Sequence, residues 1–152
     1  MGTVYVLRGL PGSGKSTYTK VLGATRKFSA DDFFLKDGVY QFDPNYLPQA
    51  HAYCLRSYTN WVRDPEVRDF GEVIAIDNTN ISVAEVAPYA ALALAYGWEL
   101  KIINFSCPLE QAHARNTHGV PLSVMEQMAK KLEEETARFP PWWKQETVDT
   151  RA

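Results

Sequence analysis

The sequence predicts a three-layer α/β fold, in which a short parallel sheet of about four strands lies between two layers of helices. Two observations predict it. Short β-branched runs alternate along the chain with segments whose apolar residues recur at helical spacing. In addition, residues 73–76 are apolar throughout, which is typical of a strand that is covered on both faces. Parallel strands that alternate with helices are joined by right-handed crossovers, so helices are expected on both sides of the sheet.

The elements follow from periodicity and from capping residues. The strands are expected at residues 3–8, 27–30, 73–76 and 98–105, and the helices at residues 15–22, 44–61, 82–96, 109–116 and from 121 onward. Asn80 or Ser82 caps the third of these helices. Prolines 140 and 141 break the last helix. We therefore expect one domain over residues 1–139, followed by a tail over residues 140–152 that is mobile at its end.

Composition limits the class of protein. The chain has 152 residues, of which 45% are hydrophobic and 22% charged, as in a single globular domain. Its longest apolar stretch, residues 89–96, is far shorter than the ~20 residues that span a bilayer, and no charged leader precedes the first strand. We expect a cytoplasmic protein (host cytoplasm, for a phage protein) with no membrane partner. The net charge of −2 argues against extensive, non-specific nucleic-acid binding. Residues 1–30 carry five bases and no acid, which suggests a phosphate-facing edge that includes Arg8.

A glycine-rich segment follows the first strand directly. Residues 9–16 read Gly-Leu-Pro-Gly-Ser-Gly-Lys-Ser, and the first helix begins at Lys15. In such a phosphate-binding loop (P-loop), backbone N–H groups surround the phosphates of ATP, the lysine bridges the β- and γ-phosphates, and the serine hydroxyl holds Mg²⁺. The predicted nucleotide-binding residues are Gly9, Pro11, Gly12, Ser13, Gly14, Lys15, Ser16 and Thr17. Because the chain lacks Asn-Lys-x-Asp and is too short for a mechanical ATPase, a kinase is the simplest prediction.

Carboxylates follow two other predicted strands, where ligands bind in open α/β sheets. Asp31 or Asp32, after the second strand, is the candidate general base for an acceptor hydroxyl; helix capping is the alternative. Asp77 ends the third strand and is the second candidate metal ligand, although residues 77–80 are also good turn formers.

A lid is predicted between the last two helices, at residues 115–121, which read Arg-Asn-Thr-His-Gly-Val-Pro. Gly119 and Pro121 indicate a shaped hinge. Arg115 is a candidate for stabilising charge on the transferred phosphoryl group, the alternative being a solvated arginine.

These motifs together resemble polynucleotide-kinase-like P-loop kinases, above all the kinase domain of animal ubiquitin-ligase-binding proteins and, more distantly, phage polynucleotide kinase. The resemblance covers roughly residues 3–139. It implies four parallel strands, a helical lid, ATP with Mg²⁺, and phosphate transfer to a 5′-hydroxyl of DNA or RNA. It also implies that Asp31 is the general base and Arg115 the lid arginine. The motifs that carry the resemblance are residues 9–16, Ser29-Ala-Asp-Asp, Tyr40-Gln-Phe-Asp, Ala50-His51, Asp77-Asn-Thr-Asn, Pro88-Tyr89 and Arg115-Asn-x-His-Gly-Val.

The sequence departs from the family on the acceptor side. Phe34 stands where the phage enzyme has an arginine, and His118 is offered in place of a second lid arginine. Aromatic side chains can stack on a base, so the acceptor is predicted to be a single strand, a strand end or a flipped base. The predicted acceptor-side residues are Asp32, Phe33, Phe34, Tyr40, Asn78, Asn80 and His118.

Three alternatives stay open from the sequence. The acceptor hydroxyl could belong to a hydroxymethyl-pyrimidine base in DNA, as for some phage enzymes. It could also belong to a nucleoside or another small molecule. Finally, the chain could be a nucleotide-dependent binding module without activity. Oligomeric state is not predicted.

Overall fold

The computed structural model describes residues 2–150, and its main sheet has five parallel strands in the order β2-β5-β1-β6-β7. A two-stranded antiparallel hairpin, β3 with β4, stands apart from this sheet. The strands are β1 Thr3–Arg8, β2 Arg26–Phe28, β3 Leu35–Lys36, β4 Val39–Tyr40, β5 Val73–Asp77, β6 Glu99–Ser106 and β7 Lys144–Asp149. The α-helices are α1 Lys15–Val21, α2 Leu47–Val62, α3 Pro65–Asp69, α4 Val83–Ala95, α5 Leu109–Arg115 and α6 Leu122–Thr136; short 3₁₀ helices span Ala30–Phe34 and Pro44–Tyr46.

The register of the central strands determines which predicted site residues lie next to one another. Leu7 of β1 lies opposite Asp77 of β5, and Arg8 lies opposite Asn104 of β6. All the strands of the main sheet run in the same direction, so the segments after β1, β2 and β5 leave the same edge. This arrangement confirms the predicted α/β fold with helices on both faces.

The number of strands differs from the expected four. Residues 144–149, which the sequence placed in a tail, form β7 and pair in parallel with β6; residues 151 and 152 lie outside the described part. Buried Phe139 and Trp143, whose rings lie 5.3 Å apart, anchor the turn that leads into this strand. The strand itself reads Lys-Gln-Glu-Thr-Val-Asp and lies at the sheet edge, so it lacks the apolar run that identified the other strands.

Helix boundaries follow the predicted caps. The Ser82 hydroxyl accepts from the N–H of Glu85 at 3.2 Å, and the Glu85 carboxylate accepts from the N–H of Ile81 at 3.0 Å. This reciprocal pair is close to a capping box, and it fixes Ser82, not Asn80, as the cap. The hairpin β3–β4 was not predicted, although its turn residues Asp37 and Gly38 both take positive φ, at 51° and 78°, as a tight hairpin turn requires.

The core has three parts. The largest cluster lies between the sheet and helices α2 and α4, and a second lies under α1 on the opposite face. The third joins Leu10 of the loop after β1 to Ala112 of α5 and Met125 of α6, so it fixes the lid helices to the phosphate loop. Within residues 2–150, none of the helices has both the length and the apolar character needed to cross a membrane.

Candidate active site

The glycine-rich loop connects β1 to α1 and requires glycine at two points. Gly12 and Gly14 take positive φ values of 80° and 99°. A Cβ atom at Gly12 would also lie 2.2 Å from the carbonyl oxygen of Ala112 in α5. The loop therefore packs directly on the lid, and a side chain at residue 12 would separate the two.

Lys15 is buried at the start of α1. Its Nζ donates to the carbonyl oxygens of Gly9 and Leu10, at 2.9 and 2.7 Å. Burial lowers the pKa of this ammonium to about 8, an effect that the nearby Asp77 and Asp31 partly oppose. In this structure the lysine thus folds back on its own loop, within reach of the space where phosphates would lie.

Ser16 and Asp77 meet across the same cleft. The Ser16 hydroxyl donates to Oδ2 of Asp77 at 2.6 Å. Both are hard oxygen ligands, and Mg²⁺ in kinases is usually held by one or two such groups together with waters and phosphate oxygens. The pair therefore fits a magnesium ion. Elsewhere within residues 2–150, no group of three or more His, Cys, Asp or Glu side chains is arranged to hold a metal.

Asp31 lies on the 3₁₀ helix after β2, and Ser29, not an aspartate, caps that helix. The Ser29 hydroxyl accepts from the N–H of Asp31 at 3.2 Å, so the Asp31 carboxylate is not used as a cap. Instead, Tyr40 OH donates to its Oδ1 at 3.2 Å, and Nε2 of His118 lies 3.8 Å from its Oδ2. The carboxylate thus faces the cleft among groups from two other segments of the chain.

Asp32 shares the cleft but has a different environment. Burial raises the pKa of its carboxyl; the positive charge of Lys27 opposes this, and the negative charges of Asp31 and Asp77 add to it. Asn78 holds the backbone nearby, because its Oδ1 accepts from the N–H of Ala30 at 2.8 Å.

Tyr40 and His118 bring the hairpin and the lid loop together over Asp31. Their ring centroids lie 4.9 Å apart. Burial, followed by the charge of Asp31 and the hydrogen bond to it, raises the pKa of the Tyr40 hydroxyl to about 12. The hydroxyl therefore remains a hydrogen-bond donor to the carboxylate at neutral pH.

Arg115 is exposed at the end of α5 and lines the cleft. Its Nη1 donates to the carbonyl oxygen of Thr150 at 3.3 Å. Thr150 in turn donates from Oγ1 to the carbonyl oxygen of Ser13 at 2.6 Å. Thr150, the residue directly after β7, therefore contacts both the phosphate loop and the lid arginine. No local sequence motif predicts this role.

Three predicted acceptor-side residues do not line the cleft, which corrects their assignment. Phe34 is only 3% exposed, because it packs in the main core. Asn80 is 2% exposed, and its Nδ2 donates to the carbonyl oxygens of Leu7 and Ile76 at 2.7 and 3.3 Å. Asn80 thus ties the end of β1 to the turn after β5. Phe33 is half-buried against the core and does not line the cleft either.

The predicted positive edge also needs correction. Arg8 is 2% exposed, and its guanidinium donates to the carbonyl oxygens of Asn80, Ile81 and Leu132 and to the side chains of Asn104 and Thr136. Burial lowers its pKa to about 10, against the opposing charges of Glu135 and Glu85. Arg8 therefore joins β1 to α6 instead of facing phosphate. Arg26 lies 3.7 Å over the Trp61 ring. Lys15 and Lys27 are the bases of this group that line the cleft.

One open cleft of about 720 Å³ unites the remaining candidates. The predicted residues that line it are Pro11, Gly12, Gly14, Lys15, Ser16, Thr17, Asp31, Asp32, Tyr40, Asp77, Asn78, Arg115 and His118. Gly9 and Ser13 belong to the loop behind it. The predicted site residues did not include Leu35, Phe42, Leu47 and His51, and all four line the cleft. The Asp37-Gly38 turn, flanked by Leu35 on one side and by Val39 and Tyr40 on the other, is the signal that could have indicated this hairpin.

Comparison with known proteins identifies the family. A family profile described as "AAA domain" matches residues 4–135. The chain belongs to this family of P-loop kinase-like domains. It is 36% identical over 136 residues to human NEDD4-binding protein 2, an alignment that covers 79% of this chain and 7% of that protein. The chain thus spans a small part of this relative.

Solved structures share the fold of this P-loop kinase-like domain at low identity. One, described as the Pnkp1/Rnl/Hen1 RNA repair complex, is 20% identical with a TM-score of 0.69, covering 91% of this chain and 46% of the other. A sugar kinase from a Janibacter species is 18% identical with a TM-score of 0.57, covering 99% and 86%. The fold is therefore the P-loop kinase-like fold, which occurs both in a structure described as an RNA repair complex and in a sugar kinase.

Proposed function

We propose that the chain is an ATP-dependent kinase that transfers the γ-phosphate to a hydroxyl of a nucleic acid, namely the 5′-hydroxyl of a DNA or RNA strand end. The observation that carries the proposal is the convergence of Lys15, Ser16, Asp77 and Asp31 on one cleft. These side chains supply an ammonium group that can bind phosphate, two metal ligands, and a base that faces the same cleft. The polynucleotide-kinase-like motifs of the sequence and the fold shared with a structure described as an RNA repair complex support a nucleic-acid acceptor.

Each residue has a separate role in the proposed reaction. The loop N–H groups and the start of α1 bind the ATP phosphates, and Lys15 turns from its carbonyl partners toward the β- and γ-phosphates. Ser16 and Asp77 would hold Mg²⁺, which neutralises charge that develops on the phosphate oxygens. Asp31 takes the proton of the attacking hydroxyl. The oxygen of that hydroxyl bonds to the γ-phosphorus, while the bond between this phosphorus and the bridging oxygen of ADP breaks. Arg115 would break its hydrogen bond to the Thr150 carbonyl oxygen and stabilise the charge on the phosphoryl group during its transfer.

A small-molecule kinase is the second candidate, because the fold likeness to a sugar kinase covers almost the whole chain. The side chains around the phosphates would act in the same way on a sugar or nucleoside hydroxyl. The nucleic-acid proposal is preferred because the motifs of this sequence resemble those of polynucleotide-kinase-like kinases, whereas the likeness to the sugar kinase is one of fold at 18% identity. Two free cysteines, Cys54 and Cys107, fit a kinase of the reducing cytoplasm.

The test is a panel of acceptors with γ-labelled ATP and Mg²⁺. It contains single-stranded DNA and RNA with a 5′-hydroxyl, the same strands already 5′-phosphorylated, 5′-phosphorylated duplex DNA with hydroxymethyl-pyrimidine, and a set of nucleosides and sugars. We expect label on the 5′-hydroxyl strands only. Label on 5′-phosphorylated hydroxymethyl DNA would instead support a base kinase. A free nucleoside or sugar that outcompetes every strand would overturn the proposal.

A further inference from the structure

We infer that the acceptor is recognised through an unpaired terminal nucleobase, which stacks on an aromatic wall formed by Tyr40 and Phe42. The inference rests on the proposed function and adds what the acceptor must carry next to its hydroxyl. It concerns one residue of the hairpin and one of the segment directly after it, both of which line the cleft.

The two rings are exposed to the cleft and are held parallel. Tyr40 is 37% and Phe42 47% exposed, and both line the cleft. Their ring planes differ by 8°, with centroids 6.3 Å apart. A large apolar ring left in contact with water inside a cleft is a favourable surface for a flat, apolar ligand face.

Buried Phe34 fixes this wall from behind. Its ring makes edge contacts with Phe42 at 5.1 Å and with Tyr40 at 6.2 Å. The N–H of Gln41 also donates to the carbonyl oxygen of Phe34 at 2.9 Å, which ties the segment between the two rings to the 3₁₀ helix. The wall is therefore pre-formed and does not have to be ordered by the ligand, which lowers the cost of binding.

The wall lies beside the candidate base. The hydroxyl of Tyr40 donates to Oδ1 of Asp31 at 3.2 Å, so the Tyr40 ring lies beside the carboxylate that would accept the proton. In a nucleotide, the 5′-hydroxyl and the base are joined through a single sugar ring. A strand end whose hydroxyl meets Asp31 can therefore place its base against Tyr40 and Phe42.

Charge makes stacking the larger part of acceptor recognition. Of the described lining residues, Lys15 is committed to ATP and Arg115 to the phosphoryl group, which leaves Lys27 and the histidines for the acceptor backbone. Tight binding to a nucleic acid backbone needs several phosphate contacts. With so few cations available, base stacking, which is sequence-tolerant, has to supply much of the acceptor affinity.

The experiment compares two oligonucleotides of the same length, each with a free 5′-hydroxyl. One carries an ordinary 5′-terminal base, and in the other the terminal nucleotide is abasic. For the wild-type protein we expect an acceptor KM about tenfold higher or more for the abasic strand, the size of one lost stacking contact. Phe42→Leu should reduce this difference to below about threefold, because half of the wall is removed.

Two further variants serve as controls. Tyr46→Leu removes another exposed aromatic ring, at 51% exposure, that does not line the cleft, so it should keep the wild-type difference. Tyr40→Phe retains the stacking ring and should also keep the difference, whatever the missing hydroxyl does to kcat. The folded state of each variant is checked by thermal melting.

The outcomes separate the two proposals. Equal KM values for the two strands in the wild type would overturn the inference while leaving a 5′-hydroxyl kinase in place. A difference that persists in a folded Phe42→Leu protein would also overturn it. Failure to phosphorylate either strand would overturn the proposed function itself, and the inference with it. The wild-type comparison needs no variant, so the requirement for a terminal base is tested even where Phe42→Leu does not fold.

Discussion

The hydroxyl of Ser16 donates a 2.6 Å hydrogen bond to Oδ2 of Asp77. This contact joins the first turn of α1 to the last residue of β5, two segments that lie far apart in the chain. The hydrogen bond holds the two side chains together before a metal binds. Both oxygens can also bind a hard cation. The two ligands therefore do not have to be brought into position by the ion.

Ser16→Ala should raise the Mg²⁺ concentration needed for half-maximal activity by roughly tenfold or more, as expected when about 1.4 kcal/mol of ligand interaction is lost. The measurement is a Mg²⁺ titration of phosphotransfer at saturating ATP. Thr19→Ala is the matched control, because that hydroxyl donates only to the carbonyl oxygen of Ser16. An unchanged requirement in Ser16→Ala would remove Ser16 from the metal site.

Lys15→Ala should lower the rate of phosphotransfer by ~10²-fold or more while the protein stays folded, since the lysine acts on charge that develops in the transition state. Initial rates at saturating ATP measure this, and circular dichroism checks the fold. A variant with wild-type turnover would contradict the P-loop assignment.

Lys15 should also leave a signature in stability against pH. Its pKa is lowered to about 8 in the folded chain from 10.5, so between these values the unfolded chain binds more protons. Stability from this group therefore rises with pH in that window, by at most ~1.4 kcal/mol per pH unit. In nucleotide-free urea titrations, the wild-type-minus-Lys15→Met difference should rise from pH 8 to 10. A flat difference would mean that the ammonium is solvated.

Asp31→Asn should lower kcat by ~10²-fold or more with little change in the KM for ATP, because an amide keeps the shape but cannot take a proton. Asp32→Asn should have a smaller effect. Steady-state kinetics with ATP and a 5′-hydroxyl strand provide the comparison. If Asp32→Asn were inactive and Asp31→Asn active, the two carboxylates would exchange roles.

Arg115→Ala should reduce kcat by roughly 10²-fold while nucleotide affinity changes much less. In the absence of ligand, Arg115 donates to the Thr150 carbonyl oxygen, and we expect it to act on the charge of the transferred phosphoryl group. Arg56→Ala, an exposed arginine of α2 outside the cleft, is the control. Equal kcat values for the Arg115 variant and the wild type would make Arg115 a solvated surface residue.

Phe34→Ala should destabilise the fold by ~3–5 kcal/mol, since it leaves a cavity in the main core. Chemical denaturation measures this change. Phe70→Ala, at a side chain 86% exposed, should stay within about 0.5 kcal/mol of the wild type. A stable Phe34→Ala protein would contradict the burial of this ring.

Much of this architecture was predictable because it is encoded locally. The glycine loop, the capping serine of α4 and the apolar strand before Asp77 each carry their signal within a few residues. The parallel register then brings the carboxyl ends of the strands to one edge of the sheet, so the meeting of Ser16 with Asp77 could be expected from topology alone.

The rest depends on contacts that no local pattern records. Phe33, Phe34 and Phe42 are the same residue type, yet Phe34 is buried in the main core and Phe42 alone of the three lines the cleft. Arg8 reads as a surface cation until Asn104 and Thr136, 96 and 128 residues away, appear as its partners. Its burial is a tertiary effect that composition cannot reveal.

The hydrogen bond from Thr150 to Ser13 has a consequence for biosynthesis. The two residues are 137 positions apart, so the loop gains this brace only after the 137 residues that follow Ser13 have been synthesised. A nascent or prematurely terminated chain would carry every residue of the nucleotide motif and still hold that loop less firmly. We therefore expect a chain that ends before Thr150 to bind nucleotide more weakly than the chain that contains it.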